Sequence, residues 1–348
     1  MPFPGDPILR ESWLGGWTLG HKIAIINSSS FGRRFPEQME RLEKIGEVKR
    51  FTFPINTSGG ELAKALQGFD ILISSVTPFF RKDFFDQKDR TILISRHGIG
   101  YNNIDVEAAT ERGTAVTIVA PLVERDAVAE NAVANLMALM RRTVAAANAA
   151  KEGRWRDRAQ FLGHQISGKT VGVIGFGNIG SRVGEILKNG FNTRLLAYDP
   201  HLSADEIRRR GAEPAEMEDL LRQADIISLN AMLTEESYHM ISDREFGLMK
   251  KGVYITNTAR GELIDQEAAI RAIEAGIVQG LATDVVEGEP VDETHPYFRY
   301  PNILVTPHTS AYTEECLRGM GEKVVSDVER IVSGLIPDNC VNPSVFEK

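Results

Sequence analysis

The sequence predicts an α/β protein built from two doubly wound parallel sheets. Short apolar runs rich in β-branched residues alternate with segments of helical spacing from His21 almost to the C-terminus. A length of 348 residues exceeds one ordinary core and suggests about two domains. A long alanine-rich stretch, Ala127 to Lys151, then separates two sets of candidate strands and is longer than a single sheet needs.

Taken in order, residues 1–20 hold three prolines with Trp13 and Trp17 before any clear element, and read as packing on the body rather than as a docking arm. Strands are expected at Lys22–Asn27, Val48–Phe53, Asp70–Ser75, Thr91–Arg96 and Thr114–Val119. Helices are expected between them, at Pro36–Ile45, Glu61–Gln67, Lys82–Gln87 and Val106–Arg112. The strand-end loops Ser74–Thr77 and His97–Gly100 lie where such sheets bind ligands, which makes Ser75 a candidate. Gly98 and Gly100, flanking Ile99, would expose backbone N–H groups able to hold a carboxylate. The stretch Ala127–Lys151 is expected as one long helix crossing between domains, with Val128, Val133, Leu136, Met137, Met140 and Val144 as its buried stripe.

The second set begins with the most informative stretch, Val171 to Asp199. A buried strand, Val171–Ile174, runs into Gly175-Phe-Gly177-Asn178-Ile179-Gly180, then a helical segment, then a strand Leu195–Tyr198 ending on Asp199. Each glycine has a task in a dinucleotide-binding turn: Gly175 for the tight turn, Gly177 for approach of the pyrophosphate, Gly180 for close helix packing. The first N–H groups of the helix would face the diphosphate. Asp199 falls where a carboxylate binds the ribose hydroxyls, and it would repel a 2′-phosphate. Pro200 and His201 offer no countercharge, so NAD is favoured over NADP. Further strands follow at Asp225–Asn230, Gly252–Asn257, Gly280–Val285 and Asn302–Thr306, with helices at Ala204–Arg210, Met217–Gln223, Asp243–Met249 and Gln266–Ala275. The tail is read as helical over Ser310–Leu335 and extended beyond.

Composition narrows the function classes. Hydrophobic residues at 42% and charged residues at 25% are those of a soluble globular chain. A net charge of −8 argues against nonspecific nucleic-acid binding and against an anionic membrane surface. No apolar run approaches the ~20 residues of a membrane span, and the N-terminus lacks the pattern of a secretory signal. Cys316 and Cys340 have no metal-binding or redox spacing, so no metal is expected. A cytoplasmic protein is the expectation.

Three polar signals sit at the ends of the later strands: Arg260 in Thr258-Ala259-Arg260-Gly261, Glu289 in the segment that starts at Asp284, and His308 in Thr306-Pro307-His308. Strand ends on the cofactor side of a doubly wound sheet converge on one crevice. Hydride transfer to a 2-oxo acid needs a cation for the carboxylate and carbonyl, which the planar fork of Arg260 provides. It needs an acid for the forming alkoxide, a role that suits His308, and a carboxylate to orient that imidazole, which would be Glu289.

From Arg96 to Asn342 the chain resembles the D-isomer-specific 2-hydroxyacid dehydrogenase family. The matching stretches are RHGIGYNNIDVEAA, AVAENAV, GKTVGVIGFGNIGSRVG, NTARGELID, ATDVVEGEP and TPH, in that order. The resemblance implies a Rossmann cofactor domain, residues 120–308, inserted into a flavodoxin-like substrate domain made of residues 1–119 and 309–348. It also implies a homodimer formed around the cofactor domains. It gives Arg260 as substrate anchor, Glu289 as partner of His308, and His308 as acid/base. By the same match, Ile99 and Gly100 give backbone N–H groups to the substrate carboxylate, Asp284 meets the nicotinamide amide, and Asn230, Thr258 and Ala259 line the cofactor cleft.

Departures from subgroups narrow the substrate. Phosphoglycerate-specific relatives carry arginines where Ser74 and Val76 stand, formate dehydrogenases pair the histidine with glutamine rather than Glu289, and phosphite dehydrogenases have lysine in place of Ile99. A small unphosphorylated 2-oxo acid of the glyoxylate, hydroxypyruvate or 2-ketogluconate type remains, reduced by NADH to the D-2-hydroxy acid. Met232 replaces the proline usual two residues after Asn230. The rival from another class is an NAD(H)-sensing scaffold like the C-terminal-binding-protein corepressors, which share the fold and the tail pattern. Where they place a tryptophan three residues after the histidine, this chain has Ala311.

Overall fold

The alternating pattern folds as two all-parallel sheets, each covered by helices on both faces. The computed structural model describes residues 20–347, so the segment with Trp13 and Trp17 lies outside the described residues. The chain divides into two compact units, one running to Glu124 and resuming at Thr313, the other spanning Arg125–Tyr312.

The first unit has strands β1 (His21–Ile26), β2 (Gly46–Phe51), β3 (Ile71–Ser74), β4 (Leu93–Arg96) and β5 (Ala115–Thr117), in the order β2-β1-β3-β4-β5. This is the flavodoxin-like order. Successive side chains on a strand point to opposite faces, which sorts the core into two layers. Ala24, Ile26, Leu72 and Ile94 pack against Leu62, Phe84 and Ala109 of the helices on one face. Ile23, Ile25, Ile71 and Leu93 pack on the other face against Leu42 and against the C-terminal helix Glu314–Val332. That helix starts at Thr313, whose hydroxyl accepts the Cys316 N–H. Its buried Val324, Val325, Val328 and Ile331 contribute on the order of 6–12 kcal/mol together. The same helix also buries Asp327 and Lys323, which offset part of the cost of that burial by pairing with each other while Ser95 Oγ donates to Asp327 at 2.8 Å. Burial drives Lys323 below and Asp327 above their ordinary ranges.

The second unit has strands β6 (Thr170–Ile174), β7 (Arg194–Tyr198), β8 (Glu213–Pro214), β9 (Ile226–Leu229), β10 (Val253–Asn257), β11 (Val278–Thr283) and β12 (Ile303–Val305). Their order is β12-β11-β10-β9-β6-β7-β8. Read from β6, this is the Rossmann order extended by one parallel strand, and the order reverses between β6 and β9. Val171, Val173 and Leu195 pack on one face with Val183 and Leu187, and with Ala129, Leu136 and Met140 of the helix Arg125–Met140. Ile174, Leu196, Ile227 and Ile255 pack on the other with Leu220, Phe246 and Ala268.

Two expectations are corrected. The segment Ala127–Lys151 is not one helix but two, Arg125–Met140 and Thr143–Lys151, broken at Arg142, which adopts φ 52°. The cause is tertiary: the His164 N–H donates to the Met140 carbonyl at 2.9 Å, taking the acceptor that a continuing helix would give to residue 144. Of the predicted stripe, Met137 and Val144 are exposed rather than buried. The strand expected at Gly280–Val285 ends at Thr283, because Thr283 and Val285 bond each other in the turn that follows. The two-residue strand β8 and the 3-10 segment Trp155–Phe161 were not anticipated. Among the described residues no helix is long and apolar enough to cross a membrane.

Candidate active site

The site of the second unit is assembled from the loops after β6, β9, β10, β11 and β12, five neighbours in one parallel sheet. Their carboxyl ends share one edge, where open α/β sheets bind ligands.

After β6 the chain turns at Gly175, where φ is +82° and a Cβ would lie 2.5 Å from the Ala231 nitrogen. Gly177 caps the helix Asn178–Phe191, so Asn178 and Ile179 form its first turn. A Cβ on Gly177 would meet nothing within 4 Å, and a Cβ on Gly180 would run into the Gly175 carbonyl oxygen. The turn is thus closed behind and open in front, the shape a diphosphate requires. Asp199, just past β7, accepts the Phe176 N–H at 2.8 Å and the His201 N–H at 2.9 Å. Sequence reasoning missed Arg210, whose guanidinium donates to the Phe176 carbonyl at 2.8 Å and so brings a cation beside this turn. Nothing in local spacing could have placed it there.

The Asn230 amide nitrogen donates to Ser228 at 2.9 Å, while its Oδ1 is buried without a partner, as is the Thr258 hydroxyl. Buried polar atoms are nearly always satisfied, so these two fit the edge of a site that a polar cofactor completes. After β10, the Asn257 side chain donates to the Arg260 carbonyl at 2.8 Å and accepts the Ala259 N–H at 3.0 Å. This buried asparagine shapes the Arg260 loop and was not among the expected residues; its place at the end of a fully buried strand was the available signal. Arg260 is half-buried and its Nη1 donates to the Ala259 carbonyl at 2.6 Å.

His308 follows β12 and Glu289 follows β11. The His308 Nδ1 and the Glu289 Oε1 are hydrogen-bonded, with both side chains about one-third exposed or less (34% and 27%). His308 holds a left-handed backbone, φ 52°, which costs about 1–3 kcal/mol unless the surroundings impose it. They do: the buried Asp284 carboxylate accepts the Thr309 N–H at 2.9 Å and the Ser310 N–H at 2.7 Å, and its carbonyl accepts the His308 N–H at 2.9 Å. Asp284, expected at the nicotinamide amide, is here the anchor of the segment bearing His308. Asn131 and Asn135, four residues apart on one face of the helix Arg125–Met140, extend this network by reaching Ser310 at 3.0 Å and Thr306 at 3.1 Å respectively. Their spacing on one helix face was a visible signal, and sequence reasoning did not single them out.

The remaining candidates belong to the first unit. Ser75 follows β3 and is half-buried, its carbonyl accepting from Asn103 at 3.1 Å. Gly98 has φ +155° and is buried; Ile99 and Gly100 are half-buried. The Ile99 N–H, expected to hold a substrate carboxylate, donates to the Glu124 carboxylate at 3.1 Å. His97, just before them, is buried edge-on against Phe31, its Nε2 without a partner, and burial followed by the Arg96 charge holds its pKa down at about 3.

A Rossmann-ordered sheet with such a turn at its switch point, and a histidine–carboxylate pair on adjacent strand ends, is the framework of a dinucleotide-dependent oxidoreductase. Comparison with known proteins specifies the family. Residues 133–310 match the profile of the D-isomer specific 2-hydroxyacid dehydrogenase, NAD binding domain. A glyoxylate reductase from Thermococcus litoralis is 35% identical over 321 residues, covering 90% of this chain and 96% of that one. The solved structure of a D-lactate dehydrogenase from Aquifex aeolicus, complexed with NAD and lactic acid, is similar with a TM-score of 0.79 and 27% identity, covering 92% of this chain and 98% of the other. A glyoxylate reductase structure from Paecilomyes thermophila reaches a TM-score of 0.80 at 28% identity, covering 93% and 99%. The chain belongs to the D-isomer-specific 2-hydroxyacid dehydrogenase family and is an NAD-dependent dehydrogenase of that family.

Proposed function

We propose that this protein reduces a small unphosphorylated 2-oxo acid of the glyoxylate or hydroxypyruvate type to the D-2-hydroxy acid. The observation that carries the reading is the bond between His308 Nδ1 and Glu289 Oε1. A carboxylate on Nδ1 sets the imidazole orientation and leaves Nε2 as the proton-transfer atom. NADH, when bound, supplies the hydride that reduces the carbonyl carbon. The His308 Nε2–H then gives its proton to the carbonyl oxygen as the alkoxide forms, and the imidazolium becomes neutral. Glu289 stabilises the imidazolium before that transfer. Arg260 pairs with the substrate carboxylate through its fork, exchanging its bond to the Ala259 carbonyl for a charge-assisted one. Backbone N–H groups at Ile99 and Gly100 are proposed as further carboxylate donors, with Glu124 displaced from Ile99.

Cofactor choice rests on Asp199, whose negative charge opposes a 2′-phosphate; Arg210 is the opposing influence. A homodimer is also proposed, through the segment 143–162 of the second unit. There Val144, Trp155 and Leu162 are 48%, 74% and 83% exposed, which is unusual for large apolar side chains close together in sequence.

NADH oxidation followed by absorbance against glyoxylate, hydroxypyruvate, pyruvate, a branched-chain oxo acid, phenylpyruvate and 2-ketogluconate tests the substrate class. Rapid turnover on a small member is expected. His308→Ala is expected to lower kcat by roughly 10²–10⁴-fold with NADH binding kept. Turnover at the wild-type rate in that variant sinks the role given to His308. Tight NADH binding without turnover on any member would favour the sensing scaffold instead.

A further inference from the structure

The second unit holds another histidine–carboxylate pair that the reaction does not call for. Glu287 stands two residues before Glu289. Its Oε1 accepts the Tyr238 hydroxyl at 2.9 Å, and its Oε2 lies 2.9 Å from His239 Nε2. The Tyr238 and His239 rings are stacked, with centroids 3.9 Å apart and planes 18° from parallel. His239 has a left-handed backbone, φ 50°, and its N–H donates to the Glu262 carbonyl at 2.8 Å. Two residues on, Ile241 bridges to Ile264. A Cβ on Gly261, next to Arg260, would run into the Val286 carbonyl carbon and the Glu287 nitrogen. Residues 238–241, 260–264 and 286–289 therefore interlock, and Glu287 is the side chain that ties the first to the third.

Magnitudes show why the turn needs that tie. Within it, the Glu289 N–H reaches the Val286 carbonyl at 3.4 Å and the Val286 N–H reaches Glu289 Oε2 at 3.3 Å. Both are long for hydrogen bonds. Gly288 between them has φ +78°, and a Cβ there would meet nothing within 4 Å. The two bonds to Glu287 are shorter and charge-assisted, a class roughly twice as strong as neutral bonds. The bonds from Glu287 are thus shorter than the two that close the turn presenting Glu289 to His308. The other charges near Tyr238 are Glu262 and Asp265.

We propose that Glu287 is a positioning residue: by clamping Tyr238 and His239 it fixes the turn Val286–Glu289, and so sets the direction in which Glu289 meets His308. The inference rests on the roles given above to His308 and Glu289. It acts on geometry at the reacting pair, where a displacement of about 1 Å is worth on the order of a hundredfold in rate.

The test uses the full chain, wild type beside Glu287→Ala, Glu287→Gln, His239→Asn and His308→Ala. Asparagine tolerates the left-handed backbone, so His239→Asn removes the ring contact without new strain. Turnover of glyoxylate and hydroxypyruvate is measured across pH, together with hydrogen–deuterium exchange of residues 232–240 and 285–290. Glu287→Ala is expected to lower kcat roughly ten- to a hundredfold, to leave the KM for NADH within about twofold, and to move the alkaline limb of kcat/KM to lower pH, since Glu289 then supports protonated His308 less well. Exchange in both segments should quicken. Glu287→Gln, which keeps the shape and part of the bonding, is expected to recover most of kcat, and His239→Asn should fall between. If Glu287→Ala keeps the wild-type kcat and pH profile while His308→Ala is inactive, the clamp is wrong and the function stands. If the wild type reduces no oxo acid, the function is wrong, and unchanged exchange at 285–290 in Glu287→Ala would overturn the clamp as well.

Discussion

The two glycine-bearing turns, Gly175–Gly180 in the second unit and Gly98–Gly100 in the first, follow buried parallel strands but meet different surroundings. The first opens a helix of 14 residues and leaves clear space before Gly177. In the second, the Ile99 N–H is engaged by Glu124, His97 is buried without a partner for Nε2, and no regular helix begins until Val106. A glycine motif therefore describes a shape, and the neighbours decide whether its N–H groups are available. In one turn there is open space in front of them; in the other the chain's own carboxylate already engages the Ile99 N–H.

This contrast can be sharpened by substitutions that separate folding from binding. Gly177→Ala places a methyl where the chain has nothing within 4 Å, so its melting temperature should match wild type. Its NADH affinity should fall roughly a hundredfold, about 3 kcal/mol, in a fluorescence titration. A large loss of stability would mean that the space before Gly177 is structural. Gly98→Ala should behave in the opposite way. Its methyl would lie 2.7 Å from Arg96 Nη1 at φ +155°, so the melting temperature drops and the KM for the oxo acid rises roughly tenfold, about 1.4 kcal/mol, with NADH affinity unchanged. An unaltered KM would remove this turn from the substrate site.

Smaller effects refine the same comparison. Glu124→Gln removes the charge that competes for Ile99 N–H, so the KM for the oxo acid should fall by roughly two- to threefold, given the greater strength of ionised acceptors. A rise would show that Glu124 supports the turn instead of blocking it. His97→Phe has the smallest effect at neutral pH. His97 titrates at about 3 in the folded chain against an ordinary 6.5, so below about 6.5 the unfolded chain takes up a proton that the folded chain refuses. Its stabilising contribution is whole above that pH and is lost as pH falls towards about 3, on the order of a few kcal/mol. Denaturant unfolding from pH 7 to 4 should therefore show a shallower decline in His97→Phe than in wild type.

Much of the architecture was legible because parallel strands buried on both faces are nearly continuous apolar runs. The helices Lys82–Gln87 and Met217–Gln223 were located to the residue. The break at Arg142 was not legible, since no glycine or proline marks it and its cause, the His164 N–H on the Met140 carbonyl, comes from a distant segment. At the site, the strand-end positions of Arg260, Glu289 and His308 were visible as motifs. Arg210 and Glu287 were not, because each acts through a partner remote in sequence.

The sequence by itself determined the fold class and cofactor class of this protein, since period, glycine spacing and a terminal acid are local properties of the chain. The tertiary structure alone decided which polar groups are already spoken for. Asp284 secures the His308 segment, Glu124 occupies Ile99, and Glu287 joins two loops of the second unit. The physical reason is that a hydrogen bond depends on atoms within about 3 Å of each other, and sequence spacing does not report such distances between segments that meet only in the folded chain.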